Sequence, residues 1–262
     1  VTLHKQGEEK TIPPLGSPWV WGVPLFGLLA LALISATGTN QSLFQAINHL
    51  PLPDAVWAGL TILGDPVVAL SLMLPFCGRR PDLIRALVVT APIATLTLHG
   101  MKTLIGAPRP LAVLGSNVVH VIGPALTRGS FPSGHTTTIF TLAALLCLLN
   151  ARRGYMIALI GFAALVGLSR CGVGAHWPAD IAAGAVNGWM AAVLGVYLAG
   201  RWPGGLGLTA QRGFAVILLL CTVSLLGFYD SRYPQAAMLQ YLIALISLAL
   251  ATPSLLRLFR RQ

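Results

Sequence analysis

Charge is scarce in this chain: Asp, Glu, Lys and Arg make up only 9% of its 262 residues, where a soluble globular domain carries about 25%. That scarcity excludes an ordinary soluble fold. Acidic residues are the rarest, seven against seventeen basic ones. Long blocks of like charge are missing too, because the bases fall in short pairs: Arg79 with Arg80, Arg152 with Arg153, Arg260 with Arg261. A net charge of +10 gathered into one patch would suit a nucleic-acid partner, and its dispersal between apolar runs argues against one. Cysteine is equally sparse. Cys77, Cys147, Cys171 and Cys221 show no C-x-x-C spacing, so they read as core residues, with neither a zinc knuckle nor a disulfide framework implied.

What abounds is apolar sequence, 55% of the chain. The hydrocarbon core of a bilayer is ~30 Å thick and takes about 20 mostly apolar residues to cross as a helix. Segments 18–37, 56–77, 82–103, 134–150, 154–170, 178–199, 213–229 and 235–256 are of that kind. They predict an all-α, polytopic transmembrane bundle of about eight spans. No repeat or composition shift divides it, so residues 1–262 read as a single membrane domain. The first run ends in small residues (Ser35, Ala36, Thr37, Gly38), as a cleavable signal would. It is longer than a signal core, and Glu8 and Glu9 stand beside Lys5 and Lys10 ahead of it, so it reads as a retained helix.

With the N-terminus in the cytoplasm, the cytoplasmic loops receive Lys5, Lys10, Arg79, Arg80, Arg85, Arg152, Arg153, Arg201, Arg212, Arg257, Arg260 and Arg261, as the positive-inside bias requires. Both termini are then cytoplasmic. Lys102, Arg109, Arg128, Arg170 and Arg232 fall on the other face, against the bias. A bound anion is the simplest reason for cations to sit there. The longest segment between spans, 104–133, holds the apolar stretch 111–126, which is expected to lie at the interface over a site.

Three span ends carry nearly all the titratable residues of that face: Lys102 to Arg109-Pro110, Phe131-Pro-Ser133-Gly134-His135, and Ser169-Arg170 through His176 to Asp180. Alternating span directions bring all three to one side. Lys102, Arg109 and Arg170 suit a dianionic phosphoryl group, with arginine's forked donors and lysine's point charge. Ser133 is placed as a helix N-cap, which would turn the N–H groups of Gly134 and His135 outward at the positive end of the dipole. Pro178 occupies a first helical position. Asp180 in that first turn can bond one nitrogen of His176 and free the other to attack phosphorus. His135 then serves the leaving alkoxide as general acid and later activates water.

One histidine or arginine at a helix end is more often structural than catalytic. Three cations converging with no carboxylate except Asp180 weaken that explanation. A metal site built from His135, His176, Asp180 and His99 is the sharper rival, and three neighbouring cations would repel a divalent ion.

The pattern Lys-x6-Arg-Pro, Pro-Ser-Gly-His and Ser-Arg-x5-His-x3-Asp resembles the type 2 phosphatidic acid phosphatase (PAP2) superfamily, whose core is similar to that of vanadium haloperoxidases and acid phosphatases. The match runs directly over residues 102–180, with a looser six-helix core over about 56–199. By resemblance, His176 is the nucleophile of a phosphohistidine intermediate, Asp180 orients it, and His135 is acid and base. Lys102, Arg109, Ser133, Gly134 and Arg170 then bind phosphate, with Ser169 in support. The resemblance implies no metal or other cofactor. Two further spans over about 213–256 depart from the six-helix pattern and are expected to leave the chemistry alone.

Substrates suiting an outward site in a bacterial cytoplasmic membrane are undecaprenyl pyrophosphate, phosphatidylglycerol phosphate, phosphatidic acid and lipid A phosphates, the first being preferred because an outward site suits carrier-lipid recycling. A phosphotransferase using the same phosphohistidine is the alternative; a haloperoxidase, a transporter or a scaffold is disfavoured. Among weaker features, Asp65 inside the second span is expected to pair with His99 or Lys102. His120 reads as an interfacial residue without a chemical role, and Trp19, Trp21, Trp57, Trp177, Trp189 and Trp202 as belt residues at span ends.

Overall fold

The computed structural model describes residues 16–150, 153–202 and 206–260. Lys5, Lys10, Glu8, Glu9, Arg152 and Arg261 lie outside the described residues. The elements are α1 (Pro18–Thr37), α2 (Asn40–Asn48), α3 (Asp54–Ile62), α4 (Pro66–Met73), α5 (Pro81–Ile105), α6 (Pro110–Leu114), α7 (Gly134–Leu148), α8 (Arg153–Gly172), α9 (Pro178–Arg201), α10 (Leu208–Ser224) and α11 (Ala237–Arg260). Among the described residues the fold is wholly helical. Each of the eight apolar runs forms helix. Five segments are long and apolar enough to cross a bilayer, and a sixth qualifies if α3 and α4 count as one bent span. The remaining two expected spans, Gly134–Leu148 and Leu208–Ser224, are apolar but shorter, at 15 and 17 residues.

The second expected span, 56–77, is not one helix. It breaks between α3 and Pro66–Phe76 with a bend of 60°. The cause is Asp65, whose carboxylate accepts from the N–H groups of Val67 and Val68 (2.8 and 3.3 Å) and caps α4, with Pro66 at the first helical position. That occupation, together with the Tyr229 hydroxyl donating to its other oxygen at 2.6 Å, replaces the partners expected from sequence. His99 turns away and bonds the Thr95 carbonyl one turn back (2.9 Å), and Lys102 goes elsewhere.

α9 is the hub, packing against α1, α5 and α7. It faces α7 through Gly184 and Gly188, a small-x-x-x-small pair that lets two backbones approach. A Cβ on Gly188 would collide with the Thr137 carbonyl oxygen, and one on Gly184 would come 2.7 Å from that of Ser133. On its other side α9 meets α1, where the Trp189 indole donates to the Val20 carbonyl (2.7 Å). Trp189 and Trp57 are therefore core residues, 0% and 5% exposed, not belt residues as expected; Trp21 and Trp202 are exposed. Cys77, Cys147 and Cys171 are buried and all four cysteines are unpaired.

Most of the stretch 111–126 is exposed or half-buried, while Val119 and Ile122 are buried against residues at the C-terminal end of α8 and in the turn after it. Asn48, at the end of α2, fixes this path: its amide donates to the carbonyls of His120, Cys171 and Gly172 (2.9–3.1 Å) while its oxygen accepts from the His120 N–H (2.8 Å). The His120 ring pairs with Asp54 at the exposed surface (2.9 Å). These contacts hold the C-terminal end of α8 in place, and with it the turn that enters α9.

Candidate active site

Four helix ends meet at one pole of the bundle: the C-terminal ends of α5 and α8 and the N-terminal ends of α7 and α9. The N-terminal ends are capped as the sequence predicts. Ser133 is the N-cap of α7, its Oγ accepting from Thr136 N at 3.4 Å and from Thr136 Oγ1 at 2.9 Å. Its own N–H donates to the Asp180 carbonyl (3.0 Å), tying α7 to α9. α9 opens with Pro178, its next N–H (Ala179) accepted by Asn40 Oδ1 at 3.0 Å. Two helix dipoles thus turn their positive ends to this pole, with the N–H groups of Gly134 and His135 in the first turn of α7.

Asp180 Oδ2 accepts three donors: the N–H of Trp177 (2.9 Å), the hydroxyl of Ser130, and Nδ1 of His176 (3.2 Å). The other ring nitrogen of His176, Nε2, lies 3.3 Å from Nη1 of Arg109. A guanidinium only donates, so Nε2 must accept and the proton must sit on Nδ1. The tautomer follows from the neighbours. His176 is 2% exposed, and burial first, then the charges of Arg109, Arg170 and Lys102, push its pKa well below the ordinary imidazole value of 6.5. It is a neutral imidazole with its lone pair on Nε2.

The cations are held chiefly by main-chain carbonyls. Lys102 donates to the carbonyls of Gly129 (2.6 Å) and Ser130 (3.4 Å). Arg109 donates to Arg128 O (2.8 Å), Gly129 O (3.3 Å) and Ala175 O (2.9 Å). Ser130, fully buried, ties back through its N–H to Ala107 O (2.9 Å), immediately before the Phe131–Pro132 cis peptide. Arg170 is 2% exposed. Its carbonyl accepts from the N–H groups of Ala175 and His176 (3.0 and 3.1 Å), closing the turn that connects it to the histidine. His135 is partly buried and within electrostatic reach of Arg170, His176, Arg109 and Lys102.

All eight residues expected from sequence therefore converge: Lys102, Arg109, Ser133, Gly134, His135, Arg170, His176 and Asp180. Arg128 and Arg232, the other cations on this face, are exposed and stand outside. His99 also stands outside, and among the described residues no three His, Cys, Asp or Glu side chains are grouped as metal ligands. Sequence reasoning missed Ser130, Thr61 and Tyr233. Thr61 and Tyr233 both accept from Arg170 Nη1 (3.0 and 2.9 Å), and Thr61 also bonds Ser169 Oγ (2.9 Å). Nothing local to any of the three marked it; each is identified only by the partner it meets in space.

This arrangement can bind a tetrahedral oxyanion at a helix N-terminus among three cations, beside a neutral imidazole. The chain's similarities agree. Residues 83–203 match the PAP2 superfamily, and an undecaprenyl-diphosphatase of Sulfolobus acidocaldarius is 30% identical over 175 residues, covering 63% of this chain and 81% of that protein. The chain belongs to the PAP2 superfamily. Among solved PAP2-like folds, the crystal structure of Aquifex aeolicus LpxE superposes with a TM-score of 0.56 at 29% identity, covering 60% of this chain and 94% of that one. A Bacillus subtilis PAP2-type phosphatidylglycerolphosphate phosphatase shares the fold at TM-score 0.53 and 21% identity, covering 71% and 98%. With its several apolar spans, the chain is a multi-pass membrane member of the PAP2 superfamily.

Proposed function

We propose that this chain is a membrane lipid phosphatase acting through a phosphohistidine on His176. The observation that carries the reading is the placement of His176 between Asp180 and Arg109, which puts the proton on Nδ1 and the lone pair on Nε2. Nε2 attacks phosphorus, the bond from phosphorus to the leaving oxygen (the bridging oxygen of a pyrophosphate or the ester oxygen of a monophosphate) breaks, and His135 gives that oxygen its proton. Water then attacks phosphorus, His135 takes the proton from the water, the phosphorus–nitrogen bond breaks, and inorganic phosphate leaves with the lone pair restored to His176 Nε2. Lys102, Arg109, Arg170 and the N–H groups after Ser133 hold the equatorial oxygens, where charge stabilisation does most of the work of phosphoryl transfer. No step calls on a metal ion.

The preferred substrate is a polyprenyl pyrophosphate of the undecaprenyl class, cleaved at its terminal phosphoanhydride; lipid phosphomonoesters come second. Two things support this: relatives bearing that activity in their names, and the charge pattern. Arg79, Arg80, Arg85, Arg201, Arg212, Arg257 and Arg260 gather at the pole opposite the site, with Arg79 bonding Leu250 O, Arg80 bonding Leu149 O and Arg212 bonding Leu258 O. By the positive-inside bias that pole is cytoplasmic, as are both termini, and the site faces the periplasm of a bacterial inner membrane. The residues act as one membrane domain, with a six-helix core over about 56–199.

The test is phosphate release by the detergent-solubilised protein from a panel of lipid pyrophosphates and monophosphates, with and without EDTA, against His176→Ala. Release that persists in EDTA and disappears in the variant is the expected result. Loss of release in EDTA would overturn the metal-free step. A phosphorylated second lipid with little free phosphate would make the chain a phosphotransferase.

A further inference from the structure

The notable feature of Arg170 is where its anchors come from. Its Nη1 carries two hydrogens, and both are used, one on Thr61 Oγ1 and one on the Tyr233 hydroxyl. Arg170, Thr61 and Tyr233 are 2%, 0% and 3% exposed. The direction of the first bond is fixed further back. Ser169 Oγ donates to the Val166 carbonyl (2.7 Å), so Thr61 spends its own proton on Ser169 and keeps a lone pair for Arg170. Arg170 Nε, by contrast, is buried with no acceptor from the protein. In a guanidinium the Nε–H runs parallel to one N–H of Nη2, and this is the fork that matches two oxygens of a phosphate. Anchoring Nη1 sets the plane of the group and leaves that fork for the anion.

Tyr233 lies between α10 and α11, outside residues 83–203 that match the family. Four residues earlier, Tyr229 donates to Asp65, the cap at the α3–α4 break. The residue before that cap, Gly64, is pressed against His135: a Cβ there would sit 2.8 Å from the His135 carbonyl oxygen. One short segment therefore reaches the supports of two site residues. Resting on the phosphatase reading above, we propose that Tyr233 is a positioning residue for Arg170, and that the two C-terminal helices are working parts of the phosphate site. Sequence alone predicts them to be indifferent to the chemistry.

The experiment is a double-mutant cycle on the full-length protein in detergent, with orthovanadate as probe, comparing wild type, Tyr233→Phe, Arg170→Met and the double variant. Calorimetry gives vanadate affinity and circular dichroism the thermal midpoint. Tyr233→Phe keeps the ring and loses one charge-assisted hydrogen bond, so its vanadate Kd should rise about tenfold. With Arg170→Met already in place, adding Tyr233→Phe should change Kd less than twofold. Thr61→Val removes the other Nη1 acceptor and should show the same dependence on Arg170, which keeps the test decisive if one variant folds poorly. Wild-type affinity in Tyr233→Phe, or an equal loss in both backgrounds, would overturn the positioning role; phosphate release and its loss in His176→Ala would still judge the phosphatase reading. If no lipid is hydrolysed yet the cycle shows coupling, the role of Tyr233 stands and the substrate reading falls.

Discussion

Nη1 of Arg109 sits 3.3 Å from Nε2 of His176, on the side of the ring opposite Asp180. In the proposed mechanism, the cation that binds the phosphoryl group is thus bonded, at rest, to the nucleophilic atom. Substrate would then exchange one partner for another: a phosphate oxygen would take the guanidinium and release the lone pair as phosphorus arrives. The same bond requires that His176 be neutral.

That requirement predicts the acid side of the pH profile. Burial and the charges of Arg109, Arg170 and Lys102 depress the His176 pKa, so its protonation begins only below its ordinary value of 6.5. The acid limb of kcat/KM, which reports the free enzyme, should therefore fall below pH 6.5. Lys102→Met removes one of the depressing charges and should move the limb upward. A wild-type limb at or above 6.5, unmoved in the variant, would contradict the electrostatic picture.

Asp180→Asn keeps the shape of the side chain but lets an amide donate to Nδ1, which would shift the proton to Nε2 and remove the nucleophile. By analogy with the tautomer-fixing aspartate of hydrolase triads, kcat should fall by roughly 10³–10⁴, with some loss of thermal midpoint because Trp177 N–H and Ser130 also lose their charged acceptor. Retention of a tenth of the activity would show that Asp180 does not set the tautomer.

Ser130→Ala tests a residue that no motif singled out. Its hydroxyl donates to the same Oδ2 that holds His176, and loss of that bond to a buried carboxylate costs about 1.5–3 kcal/mol. Activity should drop on the order of tenfold to a hundredfold, in kcat more than in KM, since the hydroxyl orients the catalytic pair and does not bind substrate. A change confined to KM would place Ser130 in the phosphate pocket instead.

Gly188→Ala should destabilise the bundle without touching the site. The added methyl runs into the Thr137 carbonyl, and such overpacking costs about 1–3 kcal/mol. The thermal midpoint in detergent should fall, while Gly213→Ala, where a Cβ meets nothing within 4 Å, should leave it in place. Equal midpoints would mean that α7 and α9 can separate freely.

The placement of the candidate site residues was legible because it is local. Caps, the first-turn proline and the spacing from His176 to Asp180 each follow from a few neighbouring residues, and all eight site residues converge as the pattern predicts. What failed to show was set by long-range geometry. Asp65, inside an apolar run, suggests a helical residue needing a cation within a turn or two, but it caps the start of α4 and finds peptide N–H groups and Tyr229. Thr61 looked like one more small residue in an apolar run, and Tyr233 lies 63 positions from the arginine it serves. Two of the eight expected spans, α7 and α10, are shorter than the rest at 15 and 17 residues, and α7 is largely enclosed by α8, α9 and α5, a difference in surroundings that apolar composition alone does not show.

Arg128 and Gly129 lend the site only their peptide oxygens, and Ser130 lends an oxygen and a hydroxyl, yet between them they seat Lys102, Arg109 and Asp180. Side-chain exchange at Arg128 should pass unnoticed. Removal of a single residue from this stretch, by contrast, would slide the carbonyls out of register and unseat two cations and the carboxylate at once. Here the sequence is constrained in its length more than in its letters.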